Sequence, residues 1–281
     1  MTGKSRDMTQ AQTKILRVAL GGLGTIGWPI AQWLDRGVNG LELAAVSAGN
    51  QTRAKGKVAG LATPVPVVSL SELAENAEIV VECAPPELFD EIADPAVEAG
   101  RILMPLSVTS LVTRMDLIER AQSTGARIIV PTGALLGLDA VRAAAKGEIR
   151  SIIMKTHKPP KSLQSAKLVV EQGINLSGLT KPKRLYSGTV MEAAKLFPAN
   201  VNVACALSLA GVGPDNTLYE IWADPRVDRN THTILVDADT VAFEMTIKNV
   251  PTEENPATGR LTPLSVIATL EGMVSTLKVG T

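Results

Sequence analysis

The sequence predicts an α/β protein in which a doubly wound parallel sheet is followed by a second, α+β domain with a mixed sheet. Three observations lead to this prediction. Short apolar runs alternate with helical stretches over the first half of the chain, a glycine-rich turn directly follows the first run, and longer runs appear after residue 148. The 281 residues, 45% of them hydrophobic, suffice for two domains.

The glycine-rich turn, GLGTIG at residues 22–27, lies between an apolar run at 15–20 and an amphipathic stretch at 28–34. This order is that of a Rossmann-type dinucleotide site, in which the glycines allow a tight turn, close approach of a pyrophosphate and close packing of helix on strand. The helix N-terminus offers unpaired N–H groups to the anion. The predicted cofactor contacts here are Gly22, Leu23, Gly24, Thr25, Ile26 and Gly27.

The other elements follow from apolar periodicity. Further strands of the parallel sheet are predicted at residues 41–46, 65–68, 79–81, 102–104 and 128–130. Strands of the mixed sheet are predicted at residues 149–155, 218–222, 229–236 and 241–248, and an amphipathic helix at 262–277. We expect a flexible tail at residues 1–13, a dinucleotide-binding domain at 14–133, and a substrate domain at 134–255 whose broad sheet either covers the cofactor or pairs with another subunit. At 256–281 we expect a C-terminal helix returning to the dinucleotide-binding domain.

Composition favours a small-molecule partner. Lys plus Arg equals Asp plus Glu at 28 each, and aromatic residues make up 3% of the chain, so no feature favours nucleic acid or a membrane surface. No apolar run reaches the roughly 18 residues of a membrane span. Two distant cysteines, without metal-ligand spacing, predict neither a disulfide framework nor a metal site. We therefore expect a cytoplasmic protein.

The end of the second predicted strand bears on cofactor choice. Dinucleotide folds usually place an acidic residue there to bind the ribose 2′-hydroxyl. Residues 47–50 read SAGN, so no carboxylate would repel a 2′-phosphate. Ser47, Asn50 and Arg53 are predicted cofactor contacts, and the cofactor is NAD or NADP, with NADP tolerated or preferred. The alternative is that Arg53 and Lys55 are ordinary solvated charges.

Three further strand ends are predicted to line the cofactor site, because ligands bind at the carboxyl edge of open α/β sheets. Cys83, Ala84 and Pro85 follow one strand, Ser107 follows the next, and residues 132–134 follow the last. For Cys83 the alternative is a small buried residue, since no neighbouring His or Lys in the sequence would activate its thiol.

The chain has two histidines, so few side chains suit proton transfer near neutral pH. A period of two places Asn230 and His232 on one strand face, and we predict that His232 is catalytic and that Asn230 binds substrate and orients the imidazole. The alternative is a structural histidine. His157 and Lys158 lie in a basic, proline-containing turn at 155–161 and are predicted to bind a substrate carboxylate, the alternative for His157 being a solvated loop.

Several ordered motifs resemble those of the L-aspartate dehydrogenase family. They are the glycine turn, TGALLGLDA at 132–140, KPP at 158–160, FPANVN at 197–202, NTH at 230–232, NP at 255–256 and LTPLS at 261–265. The resemblance implies interconversion of L-aspartate and iminosuccinate, or oxaloacetate plus ammonia, with NAD(P). It also implies a homodimer joined through the sheets of the second domain.

The resemblance assigns catalysis to His232 and cofactor contacts to Ala134 and Asn202. Thr132 and Asn200 are predicted to bind substrate. Asn200 and Asn202 lie at the start of an apolar helix, so the alternative for each is a capping role. Hydride would pass between cofactor and C2 of the substrate while His232 handles the proton. Two other readings remain: reduction of another imino or oxo acid, favoured by departures from the family motifs such as His157 in place of arginine, and a non-catalytic NAD(P)-binding sensor.

Overall fold

The computed structural model describes residues 15–197, 201–255 and 258–280. Its first sheet has five parallel strands in the order β2-β1-β3-β4-β5. Their bounds are β1 Leu16–Gly21, β2 Leu41–Ser47, β3 Ile79–Glu82, β4 Ile102–Pro105 and β5 Arg127–Ile128. The central strands are buried on both faces, which explains their continuous apolar runs.

Helices cover both faces of this sheet. They are α1 Gly27–Asp35, α2 Gln51–Val58, α3 Leu73–Asn76, α4 Phe89–Glu98, α5 Val108–Thr113 and α6 Asp116–Thr124, with a short 3-10 turn at Pro86–Leu88. Val18 and Leu20 of β1 pack in a cluster with Ile30 of α1, whereas Ala19 packs in a second cluster with Ile92 of α4. The doubly wound arrangement predicted from the alternation of elements is confirmed.

The second sheet is mixed, as predicted, with the strand order β10-β9-β6-β8-β7. Its strands are β6 Ile149–Lys158, β7 Lys183–Thr189, β8 Leu218–Ala223, β9 Thr231–Ala238 and β10 Ala242–Lys248. Only the β6–β8 pair is parallel. The remaining helices are α7 Leu138–Ala144, α8 Lys167–Glu171, α9 Val190–Leu196, α10 Asn202–Ala210 and α11 Leu261–Val274, with a 3-10 turn at Pro160–Leu163.

Two local predictions were wrong, and one strand was missed. Residues 65–68 form no strand and make a single bridge, from Val46 to Val67. Pro66 has no N–H to donate, so the pairing with β2 does not extend past it. Strand β7 was not predicted, since its sequence, KRLYSGT, is largely polar. The predicted turn at residues 155–161 begins later than expected, because β6 continues through Lys158.

The helix predicted near the C-terminus is α11, and it packs on α1. Val266 and Leu270 lie in the same apolar cluster as Ile30 and Leu34. The domain limits themselves remain predictions. Within the described residues, no helix is both long and apolar enough to traverse a lipid bilayer.

Candidate active site

The glycine turn joins β1 to α1, and each glycine has a different role there. Gly22 has φ +117°, and a Cβ on it would lie 2.4 Å from the carbonyl oxygen of Cys83. A Cβ on Gly27 would clash with the carbonyl oxygen of Gly22, so the close packing of the helix start on the strand end requires glycine at this position. A Cβ on Gly24 would meet nothing within 4 Å. The open space beside Gly24 is where an outside group can approach the backbone.

The first turn of α1 suits an anion. No side chain caps its N-terminus, and no acidic residue lies in its first turn, so the positive end of its dipole is open to a phosphate. The Trp28 N–H already donates to the Gly24 carbonyl oxygen, and Pro29 has no N–H, so the donors for an anion would come from the glycine turn before them. Leu23 is buried, and its carbonyl oxygen accepts a hydrogen bond from the Lys57 ammonium group. Thr25 donates a hydrogen bond to Glu254. Ile26 reaches the cavity described below. The uncapped helix start and the Lys57 charge fit the pyrophosphate of a dinucleotide, whereas the Glu254 carboxylate beside Thr25 opposes an anion there.

The end of β2 carries the side chains predicted at the adenosine end. Ser47 is buried, and its carbonyl oxygen accepts a hydrogen bond from Gly22 N. The amide oxygen of Asn50 caps α2 by accepting from Arg53 N at 2.9 Å, while the Arg53 side chain is exposed. Lys57, which sequence analysis missed, lies over the Trp28 ring and bonds to the glycine turn. Positive charge therefore flanks this end of the sheet.

The end of β3 closes against the glycine turn. The Cys83 thiol donates a hydrogen bond to the Gly22 carbonyl oxygen at 3.3 Å, and burial raises its pKa above the usual range. This supports the reading of Cys83 as a small packed residue. Ala84 is half-buried and Pro85 exposed beyond it, and Ala84 N lies 3.1 Å from where a Gly22 Cβ would be.

Ser107 does not face the cavity. Its hydroxyl and backbone N–H both donate to the buried carboxyl group of Glu82, at 3.0 and 2.8 Å. Burial raises the pKa of Glu82. The neighbours of Ser107, Leu106 and Val108, line the cavity instead, so the predicted contact between the Ser107 side chain and the cofactor is not supported by its position.

A cavity of about 240 Å³ lies between the first sheet and the second. Segments from both halves of the chain converge on it, because the carboxyl ends of β1 and β4 face the inner side of β6 and β9. The predicted site residues that line it are Ile26, Thr132, Ala134, Lys158, Asn202, Asn230 and His232. The predicted catalytic histidine thus meets three of the predicted substrate residues and part of the predicted cofactor set here.

His232 is the central titratable group of this cavity. Its side chain is 3% exposed, and its Nδ1 lies 2.9 Å from the hydroxyl oxygen of Thr156 on the neighbouring strand. Burial, and then the positive charge of Lys158, lower the pKa of His232 to about 3. The imidazole is therefore neutral near pH 7. Thr156, and not Asn230 as predicted, is its hydrogen-bonding partner.

Lys158 lies two residues after Thr156 on the same face of β6. Its side chain is 6% exposed, and burial lowers its pKa to about 8. A buried ammonium group in a cavity is suited to an anionic ligand. Asn230 also lines the cavity, and its carbonyl oxygen accepts a hydrogen bond from Asn249 N.

Four hydrogen bonds connect other lining residues across the two halves of the chain. The amide oxygen of Asn202 accepts from both the N–H and the hydroxyl of Thr109. The Asn249 amide donates to the Ala134 carbonyl oxygen at 3.1 Å, and Ser265 of α11 accepts from Gly133 N. The loop containing Thr132 is thereby held by Asn249, which directly follows β10, and by Ser265 of α11.

His157 was expected in the substrate site, and its position argues against that. Successive residues of a strand point to opposite faces, so His157 faces away from Thr156 and Lys158. Its Nδ1 lies 2.8 Å from Asp224, and its ring stacks on Trp222 on the outer face of the sheet. Asn200, the other predicted substrate contact, lies outside the described residues.

Thr156, Thr109 and Asn249 were missed by sequence analysis. Alternation along β6 could have placed Thr156 beside Lys158 on the inner face, but its pairing with His232 depends on a contact 76 residues away. Thr109 and Asn249 likewise contact residues distant in the chain. No local pattern signals such partners.

A glycine turn open to a phosphate, beside a cavity with a neutral, buried histidine, is the arrangement expected of an NAD(P)-dependent oxidoreductase. Two family models match the chain: "Homoserine dehydrogenase, NAD binding domain" over residues 22–131 and "Aspartate dehydrogenase, C-terminal" over residues 139–273. The chain belongs to the L-aspartate dehydrogenase family, as the following relatives also show.

The L-aspartate dehydrogenase of Bradyrhizobium diazoefficiens is 50% identical to this chain, covering 97% of it and 96% of the relative. L-aspartate dehydrogenase 3 of Bordetella bronchiseptica is 49% identical, covering 95% and 98%. Among solved structures, aspartate dehydrogenase from Thermotoga maritima superposes with a TM-score of 0.71 at 25% identity, covering 94% of this chain and 99% of that one. The resemblance inferred from the sequence motifs is thereby confirmed.

Proposed function

We propose that this protein interconverts L-aspartate and iminosuccinate, or oxaloacetate plus ammonia, with NAD or NADP. One observation carries the proposal: His232 and Lys158, a neutral proton carrier and a cation, share the cavity beside the glycine turn. A dicarboxylate amino acid offers a carboxylate that can bind Lys158. It also offers an amine whose oxidation product, an imine, is hydrolysed by water with transfer of a proton to His232.

The cofactor would be held by the chain's own backbone and a few side chains. Gly22, Gly24 and the first turn of α1 would bind the pyrophosphate, and residues 47–53 would bind the adenosine ribose. Asn202 and the loop at 132–134 would contact the nicotinamide end. When bound, the nicotinamide supplies or accepts a hydride at C2 of the substrate.

His232 moves the proton. In the oxidative direction, its neutral ring takes a proton from the water that attacks the imine carbon, after which ammonia leaves. In the reductive direction the same nitrogen returns a proton to the substrate. Burial and the charge of Lys158 lower the pKa of His232 and keep the ring neutral near pH 7, which is the form that can accept a proton.

Lys158 binds a substrate carboxylate. Burial lowers the pKa of Lys158, and an anionic ligand beside the ammonium group would favour its charged form. Asn230 and Thr132 line the same cavity and supply hydrogen-bonding groups to the remaining polar atoms of the substrate.

The assembly we propose is a cytoplasmic homodimer joined through the outer face of the second sheet. Leu235, Ile153 and Leu218 lie in register on three adjacent strands, on the face opposite His232, and Leu218 is 45% exposed. Such an apolar row suits a self-complementary sheet contact. Light scattering coupled to size exclusion, on the wild type and on Ile153→Lys, tests this arrangement: a monomeric wild type contradicts it.

The activity is tested by following reduced-nicotinamide absorbance with oxaloacetate plus ammonium, first with NADH and then with NADPH. Oxaloacetate should be reduced only when ammonium is present. The matched panel contains pyruvate, 2-oxoglutarate and glyoxylate with ammonium. Faster turnover of one of these would favour the reductase of another oxo acid, and binding of NADH without turnover of any would favour the sensor.

A further inference from the structure

We propose that Thr156 is a positioning residue for His232: its hydroxyl accepts a hydrogen bond from Nδ1–H and so directs the Nε2 lone pair of the ring into the cavity. This inference rests on the proposed function, because it assigns Thr156 a part in the proton transfer of His232. Thr156 acts on the reaction only through His232.

The geometry of two paired strands carries the inference. Thr156 on β6 lies directly opposite His232 on β9 in the antiparallel register. Both side chains are buried, and Thr156 Oγ1 lies 2.9 Å from Nδ1. Because Nδ1 is engaged, Nε2 is the ring nitrogen left to face the cavity that His232 lines. A β-branched side chain in a strand has a stiff χ1 angle, so the hydroxyl is held in place.

The charge in the cavity selects the tautomer. Lys158 lies two residues beyond Thr156 on the same face of β6 and lines the cavity with His232. A nitrogen lone pair directed toward a space that contains an ammonium group is favoured over an N–H directed there. The ring proton is therefore on Nδ1, where the Thr156 oxygen accepts it. The other charged side chains lining the cavity, Asp228 and Arg229, are paired with each other.

A neutral partner has a different effect from a carboxylate. A carboxylate on Nδ1 would stabilise the imidazolium and raise the pKa of His232, whereas a hydroxyl orients the ring without adding charge. Thr156 thus fixes the direction of the base and leaves it unprotonated at neutral pH. Strand β6 supplies both controls, the orienting hydroxyl of Thr156 and the charge of Lys158.

Three variants test this role. Thr156→Val removes the hydroxyl at nearly constant shape, and Thr156→Ser keeps it. Thr233→Val is the control: it removes a hydroxyl from the other face of β9, where Thr233 bonds to Thr246 of β10. We expect Thr156→Val to lower kcat by about 10- to 100-fold, the equivalent of one buried hydrogen bond, with the Kd of NADH unchanged. Thr156→Ser and Thr233→Val should stay within about threefold of wild type. Wild-type kcat in Thr156→Val, or equal losses in Val and Ser, would overturn the proposal.

Nitrogen-15 NMR of the wild type decides the question without turnover or variants. The chain has only two histidines, so selectively labelled protein gives two assignable rings, with His157 as the internal reference. We expect His232 as a single neutral tautomer, protonated on Nδ1, from about pH 5 to 8. An Nε2–H tautomer or a mixture contradicts the inference even if Thr156→Val does not fold. If the Nδ1–H tautomer is found in a protein that does not act on aspartate, the proposed function fails and the assigned geometry stands.

Discussion

The amide oxygen of Asn202 accepts two hydrogen bonds from Thr109, at 2.9 Å from the backbone N–H and 2.6 Å from the hydroxyl. Thr109 lies in α5, beyond the fourth strand of the first sheet, and Asn202 begins α10, which packs with the second sheet. With its oxygen engaged, the amide NH₂ of Asn202 is left to donate to a ligand in the cavity. The contact links the two halves of the chain beside the cavity.

This contact predicts an effect of Thr109→Val on cofactor affinity. Loss of the hydroxyl leaves Asn202 with one partner and a less restricted amide, so we expect the Kd of NADH to rise by about 3- to 10-fold. Fluorescence titration of the reduced cofactor measures this. Thr113→Val is the matched control, because the Thr113 hydroxyl bonds only within α5, to Ser110. An equal effect in both variants would point to the helix and not to Asn202.

His232→Ala should lower kcat by about 10²- to 10⁴-fold, because the general acid–base group is removed. Cofactor binding should be unchanged, as measured by the same titration. His157→Ala serves as the comparison, since that ring lies on the outer face with Asp224 and Trp222. Turnover near wild type in His232→Ala would assign proton transfer to another group.

Lys158 predicts a fall in activity at alkaline pH. Its pKa is lowered to about 8, so the ammonium group is present below that value and is lost as pH rises through it. Because kcat/KM reports the free enzyme, kcat/KM for the dicarboxylate should decline above about pH 8. Lys158→Met should lower kcat/KM at pH 7 and remove this alkaline limb. An unchanged limb in the variant would exclude Lys158 as its source.

Asn50→Asp should shift the cofactor preference toward NAD. A carboxylate caps α2 as an amide does, so the fold is preserved, but its charge repels a 2′-phosphate. We expect the ratio of kcat/KM for NADPH to that for NADH to fall by about tenfold. Asn50→Ser keeps the cap without the charge and should leave the ratio unchanged. No change in Asn50→Asp would mean that the adenosine ribose lies elsewhere.

The fold was predictable because its signals are local. A strand, a glycine turn and a helix follow one another within residues 15–34, and apolar runs mark most of the other strands. Strand β7 was not predictable in this way, because it alternates few apolar residues and is stabilised by pairing with β8. Tertiary pairing overrode local preference there.

The site was predictable in part. Period-two alternation correctly placed His232 on a buried face with Ile234 and Val236. The same alternation predicts that His157 and Lys158 point to opposite faces, but only if β6 is known to continue to Lys158. The partner of His232 could not be read from the sequence, because Thr156 meets it through strand register and Asn230 is merely its neighbour along the chain.

Strand β6 places unlike groups on its two sides: Thr156 and Lys158 inward, His157 outward. A slip of one position against its neighbours would exchange them, sending both inward groups to the outer surface and a second imidazole into the interior. Reactivity here therefore depends on the pairing of β6 with β9 as much as on residue identity. Engineering that lengthens or shortens the chain just before residue 149 risks abolishing turnover while leaving every reactive side chain present.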